Sequence, residues 1–324
     1  MARLAGLQRA GAGRGGFVAR RLLQAVPTVL GVTVLVFFMI HLVPGDPARA
    51  LLGPRATPPA IAQLHHEWGL DRPLLSQYGL FLERLLHADL GRSTYHDAEV
   101  LTLIGQRLPV TLLLLGLAVL FTILVTVPLA TVAAVRRGRP VDAVVRSLPV
   151  VGLGMPPFWV GIMLILLFSL TLHVFPVGGW GEGFGGHLRS AVLPALTIAI
   201  GITPMTIRSL RASMIEVLNA DFVATARSKG LSGSRVVFRH VLRNAAIPTL
   251  TVLAVNVGFL IGGTVVIEQV FAIPGLGQLM FDGIANRDFS LVQGITLVFA
   301  TGVVLTNLLT DLLYTVIDPR VAIR

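Results

Sequence analysis

Six long apolar runs constrain this chain more than any other feature of its sequence. A helix needs about 20 consecutive, mainly apolar residues to cross a bilayer core, where the backbone finds no water to hydrogen-bond. Runs of at least that length occupy residues 22–43, 108–135, 148–174, 191–210, 249–271 and 289–317. The sequence therefore predicts an all-α polytopic membrane protein with six transmembrane helices.

Composition argues against a soluble globular protein. The 324 residues are 54% hydrophobic and 13% charged, with a mean hydropathy of +0.80, whereas soluble domains carry about 25% charged residues. Cysteine is absent, so disulfide bonds and thiolate chemistry are excluded. The first run is too long for the core of a signal peptide and lacks a small-residue cleavage site, so we expect it to remain as a membrane anchor.

The distribution of positive charge predicts the topology. Most of the 26 Lys and Arg residues lie before the first run, between the second and third, between the fourth and fifth, or after the last. Basic residues concentrate on the cytoplasmic side, so both termini should be cytoplasmic. We expect tails at 1–21 and 318–324, a transmembrane domain at 22–317, an outer segment at 44–107 and a cytoplasmic loop at 211–247. The formal charge of +10 then reflects topology, and no nucleic-acid partner is expected.

The outer segment should form a small helical layer. It opens with the turn sequence PGDP at residues 44–47. Leu74, Tyr78, Phe81 and Leu85 then recur at helical spacing, which is typical of amphipathic helices that lie on the membrane surface or pack on the bundle. The histidines of this segment are expected in surface or packing roles rather than as metal ligands.

The third run carries helix-breaking residues. Pro149, Gly152, Gly154, Pro156 and Pro157 predict a kinked or broken helix, which a bundle tolerates where neighbours or a cavity satisfy the freed backbone groups. The outer loop that follows, FPVGGWGEGFGG, contains too much glycine for regular structure.

The fifth run has features with both a packing and a functional interpretation. Gly258 and Gly262 form a GxxxG pattern, which favours close helix packing over a direct substrate role. Glu268 lies about 30 Å along the helix from Pro248, near the predicted outer interface. We expect an interfacial or pairing role for Glu268 and for Asp311, since no central His or Lys completes a proton relay.

A basic segment at 221–248 separates the fourth and fifth runs. Met214, Leu218, Phe222 and Ala226 recur at every fourth position, so the fourth helix should continue past the membrane surface. The predicted order of elements is a helix, a hinge, a short amphipathic helix and then the next span.

Glycine and serine mark the boundaries within that segment. Gly230 should end the first helix, and Ser232 or Ser234 can cap the second. Arginines at every fourth position predict one basic face on the second helix: Arg235, Arg239 and Arg243, with Val237 and Val241 opposite.

Two interpretations of this segment remain open on the residues alone. It can be a solvated positive-inside loop whose arginines pair with lipid phosphates. It is, however, much longer than the about 2–8 residues that usually connect helices. Its centre, ATARSKG, consists largely of small side chains that let another protein approach the backbone closely.

The stretch ADFVATARSKGLSGSRVVFRHVLRNAAIP resembles the cytoplasmic EAA loop of binding-protein-dependent ABC importer permeases, in the dipeptide, oligopeptide and nickel branch. PGDP, DRPLLSQYGLFLERLLHADLGRS, IEQVFAIPGLGQLM and the closing IDPR resemble the same branch, so the likeness covers most of the chain. Ala224, Thr225 and Ala226 fall on the EAA triplet. The acidic first residue is therefore missing, and with it any salt bridge that it would supply.

The resemblance implies a type I ABC importer permease fold, in which this loop forms a coupling helix that docks into a cleft of an ATPase subunit. Two sets of residues are implicated. The coupling set comprises Asp221, Phe222, Val223, Ala224, Thr225, Ala226, Arg227, Lys229, Gly230 and Leu231, with Phe222, Val223, Ala226, Gly230 and Leu231 as the contact surface and Arg227 and Lys229 at its rim. The translocation-path and outer-mouth set comprises Met155, Pro156, Asn256, Gly258, Gly262, Glu268, Phe271, Pro274, Gly275 and Asp282.

The chain is not expected to be an enzyme or to bind a cofactor or metal itself. A P-loop needs the pattern G-x-x-x-x-G-K-[ST], and the single lysine, Lys229, has no such surroundings. ATP and Mg²⁺ are therefore expected in separate ATPase subunits.

The resemblance also implies the partners and the location. These are a homologous second permease, two cytoplasmic ATPase subunits, an extracytoplasmic substrate-binding protein and membrane lipid, in a prokaryotic inner membrane. Peptides are the expected substrate, with nickel or another small solute as the alternative. A self-contained secondary transporter would need intramembrane acids and internal repeats, and a structural membrane protein would leave the long basic loop unexplained.

Overall fold

Helices form almost the whole architecture. The computed structural model describes residues 14–42, 49 and 56–317. In chain order the elements are α1 Arg14–Leu42, α2 Pro58–Trp68, α3 Leu74–Leu86, β1 Arg92–Ser93, β2 Ala98–Glu99, α4 Val100–Val135, α5 Pro140–Leu153, α6 Pro157–Leu164 with a π-helical continuation Ile165–Thr171, α7 Gly183–Leu218, α8 Asp221–Ser228, α9 Gly233–Arg235 with a π-helical continuation Val236–Val241, α10 Leu242–Val270, α11 Leu276–Ala285 and α12 Phe289–Ile317.

Within the described residues, four helices are long and apolar enough to cross a membrane. They are Val100–Val135, Gly183–Leu218, the continuous rod Gly233–Val270 and Phe289–Leu312. Two shorter apolar helices, Leu23–Met39 and Pro157–Thr171, cover parts of the first and third runs. The structure is therefore a helical polytopic bundle, and the count of six spans stays a prediction.

The predicted break in the third run is confirmed. Helix α5 ends at Leu153 and α6 begins at Pro157, so residues 154–156 are not helical. Pro156 takes an extended conformation with φ −60° and ψ 134°. A proline at the first helical position loses no helical hydrogen bond, which explains why α6 starts there.

Several predicted boundaries are wrong. Helix α4 begins at Val100, inside the expected outer segment, and α7 begins at Gly183, inside the glycine-rich loop predicted to be irregular. The glycines there allow close backbone approach, since a Cβ at Gly181 would lie 3.0 Å from the backbone of Gly186. The chain folds back at this point directly into the helix.

The basic segment also differs from its prediction. Helix α7 ends at Leu218 instead of continuing, and α8 starts at Asp221 after an extended Ala220 with ψ 146°. The second helix is not a separate short element, because Gly233–Val270 runs on as one rod with Pro248 inside it. Periodic apolar spacing persisted across both boundaries and could not reveal where the backbone turns.

The outer segment packs on the bundle as predicted. The ring of Phe37 in α1 lies 5.4 Å from the ring of Tyr78 and 5.9 Å from that of Phe81, both in α3. The Tyr78 hydroxyl also lies 2.8 Å from the Thr33 hydroxyl. The PGDP turn at 44–47 and the closing residues 318–324 lie outside the described residues.

Three clusters of buried side chains make up the core of the described part of the chain. One, here called the basal cluster, joins α4, α5, α7, α8 and the Gly233–Val270 rod through buried residues that include Ala133, Val145, Met214, Val223 and Val241. A second lies among α4, α7 and the end of α10, and a third joins α4, α11 and α12. Each cluster draws on helices that are distant in sequence.

Among the described residues, two ion pairs join helices that are distant in sequence. Arg21 in α1 lies 3.0 Å from Asp311 in α12, which confirms the pairing expected for Asp311. Asp142 in α5 is 1% exposed and accepts two hydrogen bonds from Arg211 in α7, at 2.5 and 2.8 Å. The Gly138 amide donates a third, at 3.0 Å. These bonds, those of Arg211 above all, lower the pKa of Asp142 from 3.8 to about 2.

Replacing Asp142 by Asn should destabilise the protein by about 2 kcal/mol at neutral pH, because Arg211 would lose a partner in a largely buried position. The folded-state pKa is depressed, so the contribution of the carboxylate is complete above about pH 4 and falls as the pH drops towards 2. The difference between wild type and variant should shrink in that window. The free energy of unfolding of both proteins is measured in detergent by tryptophan fluorescence.

Asp97→Asn is the matched control. Asp97 also pairs with an arginine, Arg92 at 2.9 Å, but its side chain is 88% exposed, so the loss should stay below about 0.5 kcal/mol. Equal losses for the two variants would contradict a special role for the buried pair.

Candidate functional site

The short helix α8, Asp221–Ser228, lies at the centre of the basic segment. Gly230 ends it with φ +77°, a left-handed conformation that glycine adopts without steric cost, as the sequence predicted. The Gly230 amide bonds to the Arg227 carbonyl at 2.9 Å, and the Leu231 amide to the Ala226 carbonyl at 3.3 Å. These bonds satisfy carbonyls at the helix end and direct the chain towards Gly233.

One face of α8 belongs to the protein's own interior. Val223 is fully buried and Ala226 is 8% exposed, both within the basal cluster, and Leu231 packs against it. The prediction that Val223 and Ala226 form the contact surface for a partner is therefore wrong. Their spacing of three residues puts them on the face that holds α8 to α4, α7 and the rod.

The opposite face of α8 is exposed and basic. Phe222 is 46% exposed, and Asp221, Ala224, Thr225, Arg227, Lys229 and Gly230 are also exposed. Arg235, Arg239 and Arg243 are exposed beside it, which confirms the predicted basic face. None of these cations forms an ion pair with a carboxylate in the described parts of the chain. An aromatic side chain surrounded by unpaired positive charge is suited to bind a complementary protein surface.

The second predicted set converges on Glu268 near the end of α10. Its side chain is fully buried and accepts hydrogen bonds from the Thr111 hydroxyl at 2.8 Å and from the amides of Gly277 and Gln278 at 2.7 and 3.1 Å. Thr111 in turn accepts a bond from the Leu276 amide at 2.8 Å. The carboxylate caps the first turn of α11 from inside the bundle. Its hydrogen-bond partners are neutral groups, and its position near the outer interface stays a prediction.

The glycines of the AIPGLGQLM motif make room for that carboxylate. A Cβ at Gly275 would overlap the Glu268 side chain, and one at Gly277 would lie 2.5 Å from the Cα of Val265. The helix can therefore start this close to α10 only with glycine at both positions.

Phe271 and Pro274 complete the same packed turn. Phe271 is 1% exposed, and its ring would lie 3.0 Å from a Cβ at Gly161 of α6. The Arg107 guanidinium donates to the Pro274 carbonyl at 3.3 Å. Four residues of the predicted path thus meet at this turn: Glu268, Phe271 and Gly275 are buried and Pro274 is partly exposed. Their place on a translocation path stays a prediction.

The other predicted path residues are spread along the bundle. Met155, Pro156 and Gly262 are exposed, and Asn256, Gly258 and Asp282 are partly exposed. The GxxxG prediction holds in part, because a Cβ at Gly258 would lie 3.5 Å from Val303, whereas one at Gly262 would meet nothing within 4 Å. A tighter approach of α10 and α12 occurs at Gly302, where a Cβ would lie 3.2 Å from Ile261.

Sequence reasoning missed two further buried carboxylates, that of Asp142 described above and that of Asp288. Asp288 is fully buried and accepts bonds from the Ser93 hydroxyl at 2.5 Å and the Tyr95 amide at 3.1 Å, so it holds the β1–β2 hairpin. It also caps α12 through the Leu291 amide at 3.1 Å. An Asp directly before a long apolar run is an N-cap signal that could have found it. No cluster of three metal-ligating side chains occurs within the described ranges.

Fold and site together define a polytopic helical permease. The chain belongs to the family described as binding-protein-dependent transport system inner membrane component, which matches residues 126–323. The N-terminal membrane component of binding-protein-dependent transport systems matches residues 16–115.

Named relatives align along nearly the whole chain. A Brucella abortus (strain 2308) protein named as a peptide transport system permease is 42% identical over 94% of this chain and 98% of its own length. The dipeptide transport system permease protein DppB of Escherichia coli K12 is 37% identical, and the glutathione transport system permease protein GsiC of Salmonella choleraesuis is 38% identical, each over the same shares.

Gly277→Ala should destabilise the protein by about 2 kcal/mol, because its methyl group overlaps the α10 backbone. Gly263→Ala is the matched control on α10, where a Cβ meets nothing within 4 Å. That change should be neutral or stabilise by about 0.5 kcal/mol, since alanine favours a helix. Thermal unfolding in detergent measures both, and equal effects would contradict the tight turn.

Proposed function

We propose that this chain is the transmembrane permease subunit of an ATP-driven ABC importer for peptides, and that α8 is its coupling helix. The observation that carries the proposal is the two-sided packing of α8. Its inner face is part of the basal cluster, and its outer face presents Phe222 within a basic surface. Membership of the permease family supplies the context.

This packing explains how a partner could move the membrane helices. A shift applied to Phe222 would reach Val223 and Ala226 on the same short helix, and from them Met214 in α7 and Val241 in the rod. Close-packed clusters transmit displacement between discrete arrangements rather than deform continuously. The coupling helix therefore acts on several long helices at once.

The other subunits of the proposed importer are inferred from the family. A second permease would complete the translocation path, two ATPase subunits would bind ATP and Mg²⁺ at the basic end, and an extracytoplasmic binding protein would deliver the substrate. Six spans with both termini cytoplasmic agree with the concentration of Arg and Lys at the α8 end. Peptides are the proposed substrates because relatives along the whole chain are named for peptide, dipeptide and glutathione transport.

The docking proposal is tested by co-purification of the tagged chain with its second permease and ATPase subunits. Phe222→Ala should weaken ATPase association by about 2 kcal/mol, roughly thirtyfold, if the ring is an interface anchor. Arg227→Glu should also weaken ATPase association, and this loss should be larger at low salt than at high salt.

Phe184→Ala is the matched control. Phe184 is 75% exposed at the opposite end of α7, so its removal should leave ATPase association unchanged. Retention of the ATPase by Phe222→Ala and Arg227→Glu at wild-type levels would show that the exposed face of α8 does not dock the ATPase.

Transport itself is measured in proteoliposomes that contain the assembled complex and its binding protein. We expect ATP-dependent uptake of a labelled dipeptide, and its loss with Phe222→Ala in proportion to ATPase dissociation. Uptake of ⁶³Ni²⁺ without dipeptide uptake would overturn the substrate while leaving the importer architecture intact. Uptake by the chain without any ATPase subunit would indicate a secondary transporter.

A further inference from the structure

A second exposed phenylalanine lies in the basic segment, on the rod Gly233–Val270. Phe238 belongs to the π-helical stretch Val236–Val241 and is 61% exposed. Arg235 and Arg239 are exposed near it and form no ion pair with a carboxylate in the described parts of the chain. A single exposed phenylalanine is common on protein surfaces, so its direction, its distance from the membrane and its charged neighbours decide whether it has a role.

The π-helical turn directs this side chain outward. Val236 is 1% exposed and Val241 is fully buried, and both belong to the basal cluster. Residues five apart lie about 140° from each other around an α-helix, so a regular helix could not bury both. The Leu242 amide bonds instead to the Val237 carbonyl, five residues back, and this wider turn brings both buried valines to the inner face. Phe238 is left on the outer face.

Lipid does not reach Phe238 in the proposed topology. The apolar run at 249–271 has the length of a bilayer core, and Phe238 precedes it by eleven residues. Eleven residues of helix extend about 16 Å, whereas the headgroup layer outside the core is only about 5–8 Å thick. Even at a tilt of about 40° the distance from the core remains about 12 Å. The ring therefore lies in the aqueous phase beyond the headgroups.

The charge of this surface favours a soluble partner. Residues 227–230 and 232–235 are exposed and connect α8 to the rod. A second permease would also concentrate Arg and Lys on its cytoplasmic side, and so would present like charge here. A soluble ATPase subunit has no such constraint and can supply acidic side chains. Asp221 contributes one exposed carboxylate, against five exposed cations: Arg227, Lys229, Arg235, Arg239 and Arg243.

We propose that Phe238 is a second anchor for the ATPase subunit, inserted into an apolar pocket of that subunit with an acidic rim. This inference rests on the proposed function and adds a contact on the rod to that of Phe222 on α8. The two contacts act by different routes. Helix α8 transmits its displacement through the basal cluster, whereas the rod continues from Phe238 to Glu268, whose carboxylate caps α11. Movement of the docked end of the rod therefore reaches α11 directly.

The test uses single cysteines, because the chain has none of its own. Phe238→Cys is labelled with bimane on the purified chain, which is then assembled with its second permease in lipid nanodiscs. Quenching of the label by acrylamide is measured for the chain alone, with the second permease, and after addition of the ATPase subunits. An interface anchor is desolvated, so the ATPase should lower the quenching constant about threefold or more.

Phe259→Cys is the matched control. Phe259 is 77% exposed on the same rod but lies within the apolar run, so the ATPase should leave quenching of its label unchanged. Phe222→Cys reports the contact of α8 separately. If the label on Phe238→Cys blocks assembly, Ser234→Cys, exposed about one turn earlier on the rod, replaces it.

Removal of the ring gives a second readout without a label. Phe238→Ala should weaken ATPase association in co-purification about tenfold, as expected for an aromatic anchor, whereas Phe259→Ala should leave it unchanged.

The possible results separate this inference from the proposed function. Protection of Phe222→Cys without protection of Phe238→Cys, together with wild-type ATPase association of Phe238→Ala, would overturn the second anchor and leave docking by α8 intact. Absence of protection in both labelled variants would contradict both proposals. Protection of Phe238→Cys by the second permease alone would assign the ring to a contact between permeases instead.

Discussion

A carboxylate buried inside the bundle holds one end of this structure together. Helix α11 begins between α4 and α10, where its first amide groups have no water to bind, and an unpaired buried amide is costly. Glu268 and Thr111 accept bonds from three of those amides, so α11 can start against α10. Glycine is needed at positions 275 and 277 for α11 to start this close to α10, since any side chain there would collide with the carboxylate or with α10. Asp288 caps the start of α12 in the same way, by accepting a hydrogen bond from the Leu291 amide, and it also holds the β1–β2 hairpin.

The opposite end of the bundle is held by a different combination of forces. Asp142 and Arg211 form a charged contact between α5 and α7, and the basal cluster adds apolar packing among α4, α7, α8 and the rod. A buried ion pair is directional, whereas apolar packing is tight but not directional, and together they leave α8 little freedom to move alone. Displacement of α8 must therefore displace the helices packed against it. In the proposed function, this property would connect ATP hydrolysis by a partner subunit to rearrangement of the membrane helices.

Part of the functional surface could be predicted from local chemistry. Gly230 was identified as a helix end, and its left-handed conformation is what glycine is used for. The outward direction of Arg235, Arg239 and Arg243 followed from their spacing and from the cost of burying charge. The inward direction of Val223 and Ala226 could not be predicted, because small apolar side chains suit a core and a docking surface equally well. The hydrogen-bond partners of Glu268 could not be predicted for a related reason, since sequence distance along a helix does not reveal which neighbours surround its end.

The sequence by itself determined that this chain is a helical membrane protein with a long basic loop. Apolar runs longer than a bilayer core, few charges and a skewed distribution of arginine permit few other outcomes, because each of these properties acts locally and adds along the chain. Only the tertiary structure decided where Glu268, Asp142 and Asp288 find their partners, and which face of α8 remains free. Those outcomes depend on residues more than 60 positions apart in the chain, such as Thr111 with Glu268 and Asp142 with Arg211. A buried polar group is stable only when both helices deliver complementary atoms to the same place, and no local pattern encodes that meeting.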